Sequence, residues 1–354
     1  MKNTNSPLAL APSLTRAASK QTYYTVRFLV DRERVADAYR AYAYFRWVDD
    51  TLDSDLALSG GLSSPCSLGV HLHDLLSKSH AHRPGVRCQG VQVSKPEAEA
   101  QERGAFLARQ KSLLETCYRR ASIQDATPEE QMLIELVGHD QEKNSGLQSY
   151  LRNMMQVMEF DAKRRGRLIS QVELNEYTRW LASAVTEAMH YFIGQRCYAP
   201  RPHDETRYFA VTGAHITHIL RDTFDDVQAG YFNIPREVLE ANHIQPQDIH
   251  SQAYRDWVRN RVKLARSYFQ AGRGYLARVK NPRCRLAGFA YSARFEWLLD
   301  TIEQEDYFLR PEYTERKSLA TGLRMGLSTL WAWIDAGRRE TRTHPVVSGS
   351  LREL

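Results

Sequence analysis

The sequence predicts an all-α protein, a single bundle of about ten helices. Apolar residues recur at spacings of three and four along most of the chain, the period of a helix with one buried face. Gly (19) and Pro (13) fall below their usual shares of about 7% and 5%, which argues against a turn-rich β architecture. Nothing reads as βαβ alternation, and neither a GxGxxG nor a GxxxxGK[ST] loop occurs, which argues against a nucleotide-binding α/β fold. With 354 residues, the chain is long enough to bury a large core.

Residues 1–15 are rich in Asn, Ser and Pro and are predicted to be loose. From 16 to 53 the pattern is helical, with Val35, Tyr39, Tyr42, Phe45 and Val48 on one face. The stretches 59–68 and 80–95 carry loop composition, and periodicity between them is weak. Residues 56–96 are therefore read as a surface insertion. Helical signals resume near Pro96. Thr127-Pro128-Glu129-Glu130 combines a hydroxyl cap, a proline at the first helical position and acids in the first turn. Further helices are predicted over 146–164, 171–194, 205–228, 249–279, 282–305 and 315–338. The main domain is placed at 16–318, followed by a C-terminal helix and tail at 319–354.

Composition bounds the function. Hydrophobic residues are 42% and charged residues 25%, the balance of a water-soluble globular protein. Mean hydropathy is −0.53, and no apolar run approaches the roughly 20 residues that span a bilayer. The apolar stretch at 7–12 is too brief for a signal peptide, so a cytoplasmic protein is expected. Five scattered cysteines without a CxxC or Cys/His cluster support neither a disulfide framework nor a structural zinc site. The net charge of +6 is compatible with nucleic acid, an anionic surface or a phosphorylated substrate. The densest basic cluster, Lys163-Arg164-Arg165-Gly166-Arg167, is short, and no nucleic-acid partner is expected. The stretch 319–334, followed by Arg338, Arg339 and Arg342, has the composition of a peripheral membrane contact.

Two segments place carboxylates on helices that otherwise face the core. In Arg46-Trp47-Val48-Asp49-Asp50-Thr51-Leu52-Asp53, Asp49 and Asp53 stand four apart and share a face with Arg46. In His218-Ile219-Leu220-Arg221-Asp222-Thr223-Phe224-Asp225-Asp226, Asp222 and Asp226 repeat that geometry. Like charges at this spacing destabilise a helix, and burying them costs far more unless a cation compensates. Hard oxygen donors without thiols suit Mg²⁺, which binds through carboxylates together with substrate phosphates. Asp49, Asp50, Asp53, Asp222, Asp225 and Asp226 are the metal candidates, and Arg46 and Arg221 would clamp the oxygens of a diphosphate. One acidic run alone is usually a solvated face; two pairs, each beside an arginine in apolar context, make a stronger case. His215 and His218 near Asp222 raise a transition-metal site as an alternative, without a third strong ligand.

At these residues the chain resembles the squalene/phytoene synthase family. Asp49-Asp50-Thr51-Leu52-Asp53, preceded by Tyr42 and Arg46, is similar to its first aspartate-rich motif. The segment 220–226, followed by Gly230 and Ile234-Pro235, is similar to the second. Ser19-Lys20-Gln21-Thr22-Tyr23-Tyr24 resembles the family's diphosphate-pocket opening. Met158-Glu159-Phe160-Asp161, Glu173-Leu174 and Tyr177 resemble the segment before its central helix. Phe295 to Glu303 with Asp306-Tyr307 resembles its last shared helix, so the likeness runs in order from 16 to 315.

The resemblance implies an isoprenoid-synthase bundle around a central apolar cavity. It implies Mg²⁺-assisted ionisation of a C15 or C20 allylic prenyl diphosphate and head-to-head coupling to a second prenyl unit. It also implies catalytic roles for Asp49, Asp53, Asp222, Asp226 and Tyr177, and diphosphate binding by Ser19, Tyr42, Arg46, His218 and Arg221. Tyr42, Tyr177, Trp180, Phe192 and Phe224 are candidates for the cavity wall. Two departures stand out. His218 replaces the family's usual Asn, and the glycine-containing run of the central helix is here Leu181-Ala182-Ser183-Ala184-Val185-Thr186, which narrows the cavity. They motivate a terpene cyclase acting on one prenyl diphosphate as the alternative. A non-catalytic scaffold is the outside alternative, disfavoured by intact aspartate pairs. NADPH use is left open, because no dinucleotide fingerprint is present.

Overall fold

The computed structural model describes residues 7–53, 96–194 and 205–313, together with Gly326, Thr329 and Ile334. Among them are eleven α-helices: α1 (Pro7–Ala18), α2 (Lys20–Leu29), α3 (Val35–Asp53), α4 (Pro96–Tyr118), α5 (Pro128–Gly138), α6 (Gly146–Arg164), α7 (Gln171–Phe192), α8 (Thr206–Ala229), α9 (Arg236–Asn242), α10 (Gln252–Ala277) and α11 (Pro282–Gln304). The described residues contain no strand, only an isolated parallel bridge between Leu168 and Phe232. The fold is the all-α bundle that the sequence predicts, and its apolar core is continuous from Ala11 to Tyr313. The proposed insertion at 56–96 lies, but for its last residue, outside the described residues. So does the tail at 319–354, save the three residues named above.

The N-terminus departs from expectation. Residues 7–15 are helical rather than loose, whereas 1–6 lie outside the described residues. Ala11 and Thr15 share one face and are buried, and Thr15 Oγ1 donates to the Ala11 carbonyl at 2.8 Å. Burial of that face against α3 outweighs the helix penalty of Pro12. Ser19 then ends α1 and caps α2, its hydroxyl accepting from the Thr22 amide at 3.1 Å.

Caps set the other boundaries. Thr127 and Glu130 form a capping box at α5, and Ser170 and Glu173 form one at α7. Asn281 caps α11, where Pro282 opens the helix. Gly230, with φ of 85°, ends α8, and its carbonyl accepts from the Gly166 amide at 2.8 Å. That bond and the Leu168–Phe232 bridge fix the end of α6 against the end of α8.

The most extensive helix pair is α8 with α10. Their backbones come together at two glycines. A Cβ at Gly272 would lie 2.6 Å from the Ala210 nitrogen, and one at Gly213 would lie 3.1 Å from the Ala265 carbonyl oxygen. This close approach holds the helix carrying Asp222 and Asp226 rigidly in the bundle.

Candidate active site

Each aspartate segment lies on a helix anchored by apolar packing. On α3, Tyr44, Phe45 and Val48 are buried, which turns Asp49 inward to 6% exposure while Asp50 stays exposed. Arg46 bonds Asp50, Nε to Oδ2 at 3.0 Å, and its Nη1 lies 3.7 Å from an Asp49 oxygen. Asp53 is the last residue of α3; its side chain is outside the described set.

On α8, Asp222 and Asp226 are buried and Asp225 is exposed. Arg221 holds Asp222 with two bonds, Nε to Oδ1 at 2.5 Å and Nη2 to Oδ2 at 2.7 Å. His218 Nε2 stands 2.7 Å from Asp222 Oδ2. Burial by itself would raise the Asp222 carboxyl; Arg221 and His218 outweigh it and hold the group well below the usual carboxylate range. Asp226 goes the other way. Burial, reinforced by the neighbouring Asp222 charge, pushes it well above that range. Two carboxyls one turn apart are thus pushed in opposite directions by their surroundings.

A buried network links this helix to α6. Arg164, 1% exposed, donates to Asp161 Oδ1 and to Asn233 Oδ1, each at 2.7 Å. Asn233 Nδ2 donates to Asp226 Oδ2, also at 2.7 Å. The Tyr177 hydroxyl donates to Asp161 Oδ2 at 3.0 Å, and its ring stacks on Phe160. Asp49, Asp161, Arg165 and Tyr231 line one small cleft, which brings the first aspartate segment to the same network. Sequence reasoning left Asp161, Arg164 and Asn233 out of the site. An acid and an arginine three apart in the apolar helix α6 were the available signal. Arg164, a member of the basic cluster at 163–167, turns inward.

Among the described residues no three His, Cys, Asp or Glu side chains gather as a ready metal cluster. The donor chemistry still fits Mg²⁺: buried and exposed carboxylate oxygens on two helices, with no thiolate among them. Asp53, Asp161 and Asp226 each fall in the last turn of their helices, where carbonyl oxygens add partial negative charge.

An apolar cavity of about 250 Å³ opens between α2, α3, α7 and α11. Tyr42 and Tyr150 form part of its wall, and Val185, Met189 and Phe192 of α7 another part. Since a cavity of ~150 Å³ takes benzene, this one takes on the order of ten carbon atoms. Of the five predicted wall residues, Tyr42 and Phe192 line it. Tyr177 and Trp180 instead pack around Phe160, and Phe224 lies against His250. Ser19 is buried behind Tyr42, its hydroxyl accepting from Thr22 Oγ1 at 2.7 Å. Arg46 and Asp49 follow Tyr42 by one and two turns on α3. On α11, Tyr291 lines the cavity, and the ring of Phe295, one turn on, stands 6.2 Å from that of His218. The first aspartate segment thus follows the wall along α3, and the second connects to it through His218 and Phe295.

Residues 90–319, more than half of the chain, match the family model for squalene/phytoene synthase. The chain belongs to the squalene/phytoene synthase family. Members of this family are prenyltransferases. The matched stretch includes the second aspartate segment and begins after the first. The chloroplastic phytoene synthase of an Oncidium hybrid cultivar is 28% identical over 123 residues, which span 32% of this chain and 30% of that protein. Among solved structures, the squalene synthase HpnC from Alicyclobacillus acidocaldarius aligns with a TM-score of 0.58 at 17% identity, covering 86% of this chain and 95% of that one. A dehydrosqualene synthase crystallised with a ligand aligns at 0.59 with 14% identity, covering 95% and 97%. These likenesses establish the isoprenoid-synthase helical fold. No helix among the described residues is long and apolar enough to cross a membrane.

Proposed function

We propose that this protein ionises an allylic prenyl diphosphate with Mg²⁺ and couples the resulting prenyl cation head-to-head to a second prenyl unit. One observation carries the reading beyond family membership: two buried aspartates, each within ion-pair distance of an arginine of its own helix, stand on helices that lead to an apolar cavity through Tyr42 and Phe295. The carboxylates of Asp49, Asp53, Asp222 and Asp226 would hold Mg²⁺, with the exposed Asp50 and Asp225 at the solvent side. Bound there, the ion neutralises charge on the departing diphosphate.

The chain's own residues do the remainder. Arg46 and Arg221 exchange part of their carboxylate contacts for phosphate oxygens, for which a guanidinium fork is well shaped. The phenol of Tyr42 stands at the cavity end nearest Arg46, with Ser19 and Thr22 beside it. His218 stays on Asp222 and fixes the carboxylate orientation. Tyr177 acts through Asp161, which it orients, so it is a positioning residue. The walls exclude water from the cation, and aromatic faces stabilise positive charge.

The cavity volume favours a second reading within the same chemistry. Room for about ten carbons suits one prenyl chain better than two, as expected of a cyclase that folds a single cation on itself. Gas chromatography–mass spectrometry of products from C10, C15 and C20 prenyl diphosphates, with Mg²⁺ and with or without NADPH, separates the readings. A C30 or C40 hydrocarbon that disappears in Asp49→Ala and Asp222→Ala supports coupling. A C10 to C20 terpene supports cyclisation, and no product from any substrate sinks both.

A further inference from the structure

Arg46 and Arg221 are both engaged by carboxylates of their own helices. A third arginine is placed differently. Ala287, Ala290, Tyr291 and Arg294 fall on one face of α11, and all four line the apolar cavity. The Arg294 Nη1 and Nη2 atoms are buried and have no hydrogen-bond partner among the described residues. Of the described residues lining the cavity, Arg294 is the one charged group, and no carboxylate is among them. The Tyr42 hydroxyl, in the same wall, is buried beside Ser19 and Thr22.

A desolvated guanidinium is costly unless paired, and its planar fork matches carboxylate and phosphate oxygens. An unscreened cation in this wall would also oppose a prenyl cation in the same space. We propose that Arg294 is the oxyanion-binding residue of the cavity. The ligand it selects is an amphiphile with an apolar body of about one short prenyl chain and an anionic oxygen group on the guanidinium. This deepens the prenyl-cavity reading and rests on it for the apolar part of the ligand. The anionic group is either the diphosphate head of the substrate or the carboxylate of a separate ligand.

Isothermal titration calorimetry on the full chain in EDTA tests the proposal, with decanoate, 1-decanol and geranyl diphosphate as probes. Charge-assisted hydrogen bonds predict that the wild type binds decanoate or geranyl diphosphate at least about tenfold more tightly than 1-decanol. Arg294→Met keeps the apolar stem and is expected to abolish that preference while 1-decanol still binds. Arg294→Lys keeps the charge and retains part of the preference. Preference for decanoate assigns the site to a carboxylate ligand; preference for geranyl diphosphate alone assigns it to the substrate head. Equal binding of all three probes by the wild type, or a preference that survives in Arg294→Met, overturns the proposal. The two readings fail separately. A wild type that makes prenyl products without any anion preference loses only the role of Arg294, and one with the preference but no prenyl product loses only the transferase reading.

Discussion

Asn233 accepts a hydrogen bond from Arg164 and donates one to Asp226, both at 2.7 Å, so a single amide joins the buried cation of α6 to the aspartate helix α8. The guanidinium also lies 4.9 Å from the Tyr231 ring and 5.0 Å from the Tyr177 ring. Arg164→Met strands the Asp161 carboxylate in the core, and breaking a buried pair in this way costs about 3–5 kcal/mol. Urea unfolding should show a loss of that size. Arg164→Met/Asp161→Leu, which removes both charges, should recover part of it. A loss under ~1 kcal/mol in the single variant, the worth of an exposed pair, would make the network incidental.

Val185 and Met189 set the depth of the cavity from the α7 side. Val185→Ala/Met189→Ala should shift selectivity toward longer prenyl diphosphates by about tenfold in kcat/KM, because each methylene a pocket newly admits is worth at least that much. Competition between C10, C15 and C20 substrates measures it. Unchanged selectivity would show that chain length is set elsewhere.

Glu130 supplies a pH dependence. Hydrogen bonds from Arg109, and then from Gln110 and the Thr127 amide, outweigh burial and hold its carboxyl at about 2 against an ordinary 4.5. A depressed carboxylate stabilises the fold fully above pH 4.5, and that contribution is lost as pH falls towards 2. Arg109→Met should therefore lower the urea midpoint at pH 6 and have progressively less effect below pH 4. A deficit of equal size at pH 6 and pH 3 would remove Arg109 as the cause.

Gly272 and Gly274 differ by two positions in α10 and should respond oppositely to alanine. Gly272→Ala drives a Cβ into the Ala210 backbone, an overpacking that costs about 1–3 kcal/mol. Gly274 has nothing within 4 Å of its would-be Cβ, so alanine there should stabilise by up to ~1 kcal/mol. Thermal unfolding of the two variants decides it; shifts of the same sign would contradict the close contact of α8 and α10.

Local signals made much of the bundle legible in advance. Residues 127–130 carry the full chemistry of a helix start, and α6 runs over 146–164 as its periodicity predicts. The N-terminal helix was hidden because Pro7 and Pro12 read as breakers, while its stabilising contact with α3 is a tertiary effect. In the site, the aspartates were visible because their i,i+4 spacing is itself the local geometry. Arg164 and Asn233 were not, being 69 residues apart and paired only once the end of α6 meets the segment that follows α8. Arg294 reads as an ordinary helix arginine until α2, α3 and α7 close around it.

The polarity of three helices has a thermodynamic consequence. Asp53, Asp161 and Asp226 sit at the electronegative ends of α3, α6 and α8, where lysine or arginine would suit the backbone better. A carboxylate at such an end is disfavoured by the helix carbonyls, and Arg164 offsets this at Asp161. A divalent ion bound at these ends favours the folded chain by RT ln(1 + [L]/Kd), about 2.7 kcal/mol at a hundredfold excess over Kd. On the proposed Mg²⁺ reading, melting temperature would then rise with cation occupancy.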